Sequence, residues 1–400
     1  MRVMPSDMEN FVYYNPVKVV FGSGSLKEVG VNVAAYGKKA LLVSYANPTF
    51  LAKTIAVIHE ELIKCNVSCV DYFAVTANPL LSQARQGVSI CLDNEIDIVI
   101  GLGGGSVMDC AKIIAAGALY GNDIGGMIMF SHSNVKSVSP ERALPTVMIP
   151  TIPATGSEMN PTAVITDDKT KQKSYVWEPK CLYPKVAILD PDLTLSLPPY
   201  QTACGAYDII AHVAESYLNG NPDYDLEVTD RMQEGIIKAT MDSLAKVWNN
   251  PADIQARGNL MWEASIALNG WLTSGTFGFT PMHQLGHVLS AQYNATHGAT
   301  LACMMPAWMR YFANRPDNGR YKMFAERIFG CGIEQAADIF EKQMRRHGVQ
   351  TRMHELGVKQ EDIEFLADQV VSVSFGSDGK LNGNPKTTRE DIVQIYKLAF

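Results

Sequence analysis

Residues 96–120 read IDIVIGLGGGSVMDCAKIIAAGALY. An apolar, β-branched run ends in Gly103, Gly104, Gly105 and Ser106, and a helix-period stretch follows without a gap. Glycines at a helix N-terminus leave backbone N–H groups open at the positive end of the helix dipole, an arrangement that suits a phosphate or pyrophosphate. In α/β sheets such ligands settle beyond the carboxyl end of a strand, where this turn falls. The stretch is not a complete GxGxxG, because Ser106 stands where the last glycine would be, and it is not a Walker A loop, because Lys112 lies too far into the helix. A glycine run of this kind also makes a plain strand-to-helix turn. A second polar loop, IPTIPATGSEMN at 149–160, follows another strand candidate and offers Thr151, Thr155, Gly156 and Ser157 for further ligand contacts.

Outward from this unit, VKVVF, ALLVS, VSCVDYF, TVMIP and VAILD read as further strands. Helical patterns at about 25–35, 48–64 and 79–94 alternate with the first of them, and Asn47-Pro48 and Asn78-Pro79 mark turns. Such alternation predicts a mostly parallel sheet covered on both faces. Past the Pro198-Pro199 pair the pattern is nearly all helical. The expectation is therefore a Rossmann-like α/β dinucleotide-binding domain over 1–190 and an all-α metal-binding domain over 191–400.

The chain's 400 residues exceed one ordinary core, which agrees with two domains. With 34 Lys and Arg against 41 Asp and Glu, the net charge is −7, and no basic run would suit a nucleic-acid backbone. The start carries no signal-peptide pattern, and the apolar run from Ala264 is broken by glycines and polar residues. A cytoplasmic protein that does not enter the membrane is expected. Eight cysteines without CxxC spacing read as reduced thiols and receive no chemical role.

Asp208 and His212 stand four apart on a strong helical pattern, so both project from one face. His283 and His287 repeat that spacing, and His297 follows. A single histidine on a helix is usually packed or solvated, but two such pairs in apolar helices are costly unless partnered. Imidazoles with a carboxylate fit Fe(II) or Zn(II), and the lack of a thiolate favours a catalytic over a structural site. Such a site keeps a position open for substrate, and one unligated histidine can carry a proton. His59, His132, His347 and His354 read as surface or packing residues.

The segments NPVKVVFGSGSL, GLGGGSVMDCAKIIAA, IPTIPATGSEMN, GAYDIIAHVAESYL, HQLGHVLSAQYNATHG and NGNPKTTREDIVQIY, in this order, resemble the iron-containing (group III) alcohol dehydrogenases, and within them the butanol dehydrogenase and aldehyde reductase branch. The resemblance implies Asp208, His212, His283 and His297 as metal ligands, and His287 as the proton-transferring residue beside the nicotinamide. It further implies Gly103, Gly104, Gly105 and Ser106 on the cofactor pyrophosphate, Asp109 near the nicotinamide ribose, and Thr151, Thr155 and Lys173 as further cofactor contacts. It also implies a cytoplasmic homodimer joined around residues 10 to 22. After the second strand, Tyr45, Ala46 and Asn47 stand where NAD-preferring relatives carry an acid, which favours NADP(H) over NAD(H). The expected reaction is hydride transfer between NAD(P)H and a small aldehyde or primary alcohol in a cleft between the domains, with the metal polarising the oxygen. Phe277, Phe279 and Trp271 suggest an apolar substrate. Two rivals are a polyol dehydrogenase and a dehydroquinate synthase-like lyase. The lyase needs an anionic phosphorylated substrate, yet no Lys or Arg lies within ten residues of His283, His287 or His297.

Overall fold

The computed structural model describes residues 10–129, 137–220, 226–276 and 279–400, so the readings placed on His132 and Phe277 lie outside the described residues. The α/β elements run β1 Lys18–Phe21, α1 Val29–Ala34, β2 Lys39–Tyr45, α2 Ala52–Lys64, β3 Ser68–Val75, α3 Leu81–Asp93, β4 Ile98–Gly103, α4 Gly105–Tyr120, β5 Thr146–Pro150, β6 Thr162–Thr166, β7 Lys173–Trp177 and β8 Val186–Leu189.

Six of these strands form one sheet in the order β1-β8-β5-β4-β2-β3, and every neighbouring pair is parallel. The central strands β4, β5 and β8 are buried throughout, which is why they read as continuous apolar runs. Two apolar cores fill the two faces. One joins Leu41, Val43, Val99, Met108 and Ile114, the other Ala40, Leu42, Ile98, Ile100, Ile58 and Leu62. The chain leaves β2 toward the sheet edge at β3 but leaves β4 in the opposite direction toward β5, so the connections diverge between β2 and β4. That switch point is where an open α/β sheet forms a ligand crevice.

The sequence reading named no strand within 151–185. There β6 and β7 pair as an antiparallel hairpin, with Thr162 opposite Trp177 and Thr166 opposite Lys173. Each is five residues long, and TAVIT and KSYVW are too short for periodicity to separate them from loop.

From α5 at Pro199–Leu218 onward the elements are helical: α6 Glu227–Asn249, α7 Ile254–Leu268, α8 Pro281–Tyr293, α9 His297–Ala313, α10 Gly319–Phe329, α11 Ile333–Arg346, α12 Ile363–Ser374 and α13 Arg389–Ala399. α5 is buried at every position from Thr202 to Leu218 and packs on α6 and α9, while α9 also packs on α8, α11 and α13. None of these helices is long and apolar enough to cross a membrane among the described residues.

Two compact units result, neither continuous in sequence. One comprises Asn15–Leu197 and Asn250–Ser265; the other comprises the residues through Tyr14, Pro198–Asn249 and Ile266–Phe400. A single boundary near 190 misses the excursion of α7, which has a physical cause. Met261 joins an apolar cluster with Met159, Ala187 and Leu189, and the Ser265 hydroxyl donates to buried Glu158 at 2.6 Å.

Candidate active site and metal centre

In the α/β unit the triple glycine is a point of close backbone approach. A Cβ at Gly104 would lie 2.5 Å from Ile152 Cγ2 and 2.8 Å from Tyr45 Oη, so only glycine fits. The Gly104 N–H donates to the Tyr45 hydroxyl at 2.7 Å, and the Thr151 N–H donates to the Gly103 carbonyl at 3.0 Å. Tyr45, Gly103–Gly105 and Thr151 are thereby gathered at the carboxyl ends of β2, β4 and β5. Thr155 closes on Gly105, where a Cβ would stand 2.5 Å from its methyl. The Ser106 hydroxyl donates to the Ala77 carbonyl beyond β3. Lys173 reaches the same loop through Asn78 Oδ1 at 3.3 Å. Asn47 is exposed and adopts a left-handed conformation, φ 56°, in the turn after β2.

Asp109 is buried and fastens α4 to its neighbours: one oxygen accepts from the Ser157 hydroxyl at 2.5 Å, the other from the Val164 N–H at 3.0 Å. Lys112, one turn on, is completely buried, and its ammonium donates to the carbonyls of Asn160 and Thr162 at 3.0 and 2.6 Å. Burial pushes Lys112 down to about 8 against the pull of Asp109 and Glu158, and burial likewise raises Asp109. The sequence reading gave Lys112 no role beyond excluding a Walker A loop. Here it joins α4 to the polar loop that follows β5.

In the helical unit Asp208, His212, His283 and His297 converge. Asp208 Oδ1 lies 3.5 Å from His212 Nδ1 and 3.6 Å from both His283 Nε2 and His297 Nε2. The donor atoms of Asp208, His283 and His297 all fall within 4.8 Å of one another. His212 is stacked on His283 with ring centroids 4.3 Å apart, and His287 stands 5.1 Å from His297, ring to ring. Asp208, His212 and His283 are buried, whereas His287 is only half-buried.

The local chain explains the convergence. Pro281 starts α8 and left-handed Asn294 ends it, so α9 begins three residues later with His297 in its first turn. A Cβ on Gly298 would lie 2.1 Å from the Cys204 carbonyl oxygen. Glycine thus lets the start of α9 press onto α5 one turn before Asp208.

Glu215, two turns beyond Asp208 on α5, was not identified from the sequence. One of its oxygens accepts from the N–H groups of Met282 and His283 at 2.5 and 3.2 Å, and the other pairs with His283 Nδ1. This contact fixes the His283 ring so that Nε2 faces Asp208. A carboxylate hydrogen-bonded to the far nitrogen of a metal-ligating histidine orients that ring and raises its basicity. The spacing of Asp208 and His212 on one helical face was legible, but nothing in the spacing pointed to Glu215 or to the histidine it would meet.

No ion is needed to see that these groups fit one. Asp208 Oδ1, His212 Nδ1 and His283 Nε2 are buried without a hydrogen-bond partner, at a cost of about 1–3 kcal/mol each. Burial opposes charge on His283, but the carboxylates of Glu215 and Asp208 outweigh it and hold the imidazole at about 9; burial pushes His212 down to about 4. Glu215 and Asp208 thus favour positive charge around the His283 ring, and a divalent cation shared by Asp208 Oδ1 and His283 Nε2 would also satisfy the orphaned atoms. Nitrogen and oxygen donors without sulfur suit Fe(II) or Zn(II).

A glycine turn at the switch point of a parallel sheet, suited to a dinucleotide phosphate, and a buried cluster of histidines and an aspartate on helices, suited to a divalent cation, are the parts that a metal-dependent, nicotinamide-using oxidoreductase requires. Residues 16–191 match the iron-containing alcohol dehydrogenases, and residues 202–400 match the C-terminal part of the same family. The chain belongs to the iron-containing alcohol dehydrogenase family. It is 33% identical to NADH-dependent butanol dehydrogenase A of Clostridium acetobutylicum, covering 98% of this chain and all of that one. It is 29% identical to the NADPH-dependent aldehyde reductase YqhD of Escherichia coli, with 98% and 100% covered. The crystal structure of NADH-dependent butanol dehydrogenase A from Thermotoga maritima superposes with a TM-score of 0.90 at 36% identity, covering 98% of this chain and 99% of that one. The family match sets aside the lyase considered from the sequence.

Proposed function

We propose that the protein interconverts small, neutral aldehydes and primary alcohols, with Asp208, His212, His283 and His297 holding one divalent cation, Fe(II) or Zn(II). The observation that carries this reading is the meeting of three imidazoles on one buried carboxylate oxygen, at 3.5–3.6 Å. When bound, such a cation supplies Lewis acidity toward a carbonyl or hydroxyl oxygen, and the dinucleotide supplies or accepts the hydride.

The chain's own residues do the rest. Glu215 holds the His283 ring in the tautomer that leaves Nε2 available. His287, half-buried beside His297, carries the proton between the substrate oxygen and solvent, so its Nε2 or Nδ1 must pick up and release one proton per turnover. Gly103 and Gly104 let the backbone come close to the pyrophosphate, and Gly105, Ser106 and the start of α4 receive it through backbone N–H groups. Thr151, Thr155, Lys173 and the network around Asp109 shape the loops that flank it. The lack of Lys or Arg within ten residues of the three histidines supports an uncharged substrate. Trp271 contributes less to that argument than its sequence position suggested, because its ring lies 5.5 Å from Tyr13 and is half exposed.

For the cofactor, the turn after β2 carries Tyr45, Ala46 and Asn47 and no acid to repel a 2′-phosphate, which supports NADP(H) over NAD(H). The relatives named above include both NADH- and NADPH-dependent enzymes. We further propose a cytoplasmic homodimer. Phe11, Val12, Tyr14 and Phe21 are exposed, and β1 is an edge strand that a second copy can cover. The reading is tested by metal analysis of the purified protein followed by NADPH and NADH oxidation with straight-chain aldehydes of increasing length. Aldehyde-dependent oxidation is expected with both cofactors, faster with NADPH at subsaturating concentration; no turnover with any aldehyde would overturn it.

A further inference from the structure

We infer that His59, Cys69 and Asp71 form a second divalent-cation site, suited to Zn(II), at the outer edge of the α/β unit. The inference is independent of the catalytic reading. β3 is the outermost strand on its side of the sheet, and α2 packs beside it. Alternation along the strand sends Cys69 and Phe73 to the face that α2 covers, and Val70 and Ala74 to the other. Asp71 shares the parity of Cys69 and Phe73, and His59 faces it from α2.

The geometry follows from that placement. His59 Nε2 is 2.9 Å from Asp71 Oδ1, Cys69 Sγ is 4.0 Å from the same oxygen, and all three donor atoms lie within 4.8 Å of one another. One nitrogen, one sulfur and one oxygen donor match the mixed sets that bind Zn(II) tetrahedrally, and the His59 and Asp71 side chains, each 36% exposed, leave a fourth position for water. A thiolate favours Zn(II) over Fe(II), so this site and the sulfur-free centre on α5, α8 and α9 select differently.

A plain surface ion pair between His59 and Asp71 is the competing description. Such pairs contribute about 0–1 kcal/mol; the pair alone does not account for a third donor type beside it, Cys69 Sγ, which lies 3.9 Å from the Val70 carbonyl and 4.0 Å from Asp71 Oδ1. A bound cation takes the place of the Cys69 thiol proton. On binding, one thiol proton passes to the buffer, the His59 ring proton resides on Nδ1, and no electron changes hands.

Because the catalytic centre holds no sulfur, Co(II) separates the two sites. Metal-stripped protein, kept reduced with a non-thiol reductant, is titrated with Co(II) and followed in the near ultraviolet for thiolate-to-cobalt charge transfer. Two bound equivalents are expected, one of them carrying the thiolate band. Cys69→Ser and His59→Gln should each lose that equivalent and its band and retain aldehyde reduction after reconstitution. A His283→Ala, His297→Ala double variant should keep the band and lose the other equivalent. Competition against a chromophoric chelator should show the same loss for Zn(II). One bound equivalent without a thiolate band in the unaltered protein would overturn the proposal, as would a band that persists in both Cys69→Ser and His59→Gln.

Discussion

At the scale of single residues, the candidate centre depends on carboxylates that hold other groups in place. Glu215 touches His283 through one side-chain and one backbone contact and Met282 through a second backbone contact, so Glu215→Gln keeps the shape and removes the charge. The expected result is metal affinity weakened about 10–100-fold, with activity recovered in excess metal; unchanged affinity by chelator competition would remove Glu215 from the account. Lys112 makes a different kind of contribution. Lys112→Met strips the cation from Asp109 and leaves the Asn160 and Thr162 carbonyls without their donor, so denaturant unfolding at neutral pH should show a loss of about 3–5 kcal/mol. The pH dependence has a defined sign. Lys112 falls from 10.5 to about 8 on folding, so over that window the unfolded chain binds a proton that the folded chain has released. Stability owed to this group therefore rises with pH from 8 to 10.5, and the rise should be absent from Lys112→Met.

At the scale of elements, two glycines allow two independent tests. Gly298→Ala forces the start of α9 off the Cys204 carbonyl and should weaken metal binding while leaving dinucleotide binding intact. Gly104→Ala collides with Ile152 and Tyr45 and should weaken dinucleotide binding, read by NADPH fluorescence, while leaving metal content intact. If both variants lose both ligands, the two functions do not reside in separate elements. Element type was largely legible because the parallel strands are buried on both faces and read as unbroken apolar runs. The β6–β7 hairpin was not, since its strands are short and earn their place through pairing and through Lys112 and Asp109 rather than through pattern. Four of the histidine and aspartate positions were legible from their i,i+4 spacing. The part of Glu215 was not, because its partner His283 comes 68 residues later and only the packing of both α5 and α8 on α9 brings them together.

At the scale of the whole molecule, the linear division near 190 fails where the chain doubles back. Residues 250–265 return to the α/β unit because Met261 and Ser265 find their partners there. The exposed apolar side chains of Phe11, Val12, Tyr14 and Phe21 make a further prediction at this scale: sedimentation velocity should give a dimer, and Val12→Glu combined with Phe21→Glu should shift it toward monomer. The central claim is that chemistry depends on one cation held by Asp208, His212, His283 and His297. Its most direct test is to remove all metal by chelation, measure NAD(P)H oxidation with a short aldehyde, and add Fe(II) or Zn(II) back stoichiometrically, in the unaltered protein and in His283→Ala with His297→Ala. The account predicts that turnover disappears on removal, returns with metal in the unaltered chain, and does not return in the double variant. Turnover that survives exhaustive metal removal would contradict it.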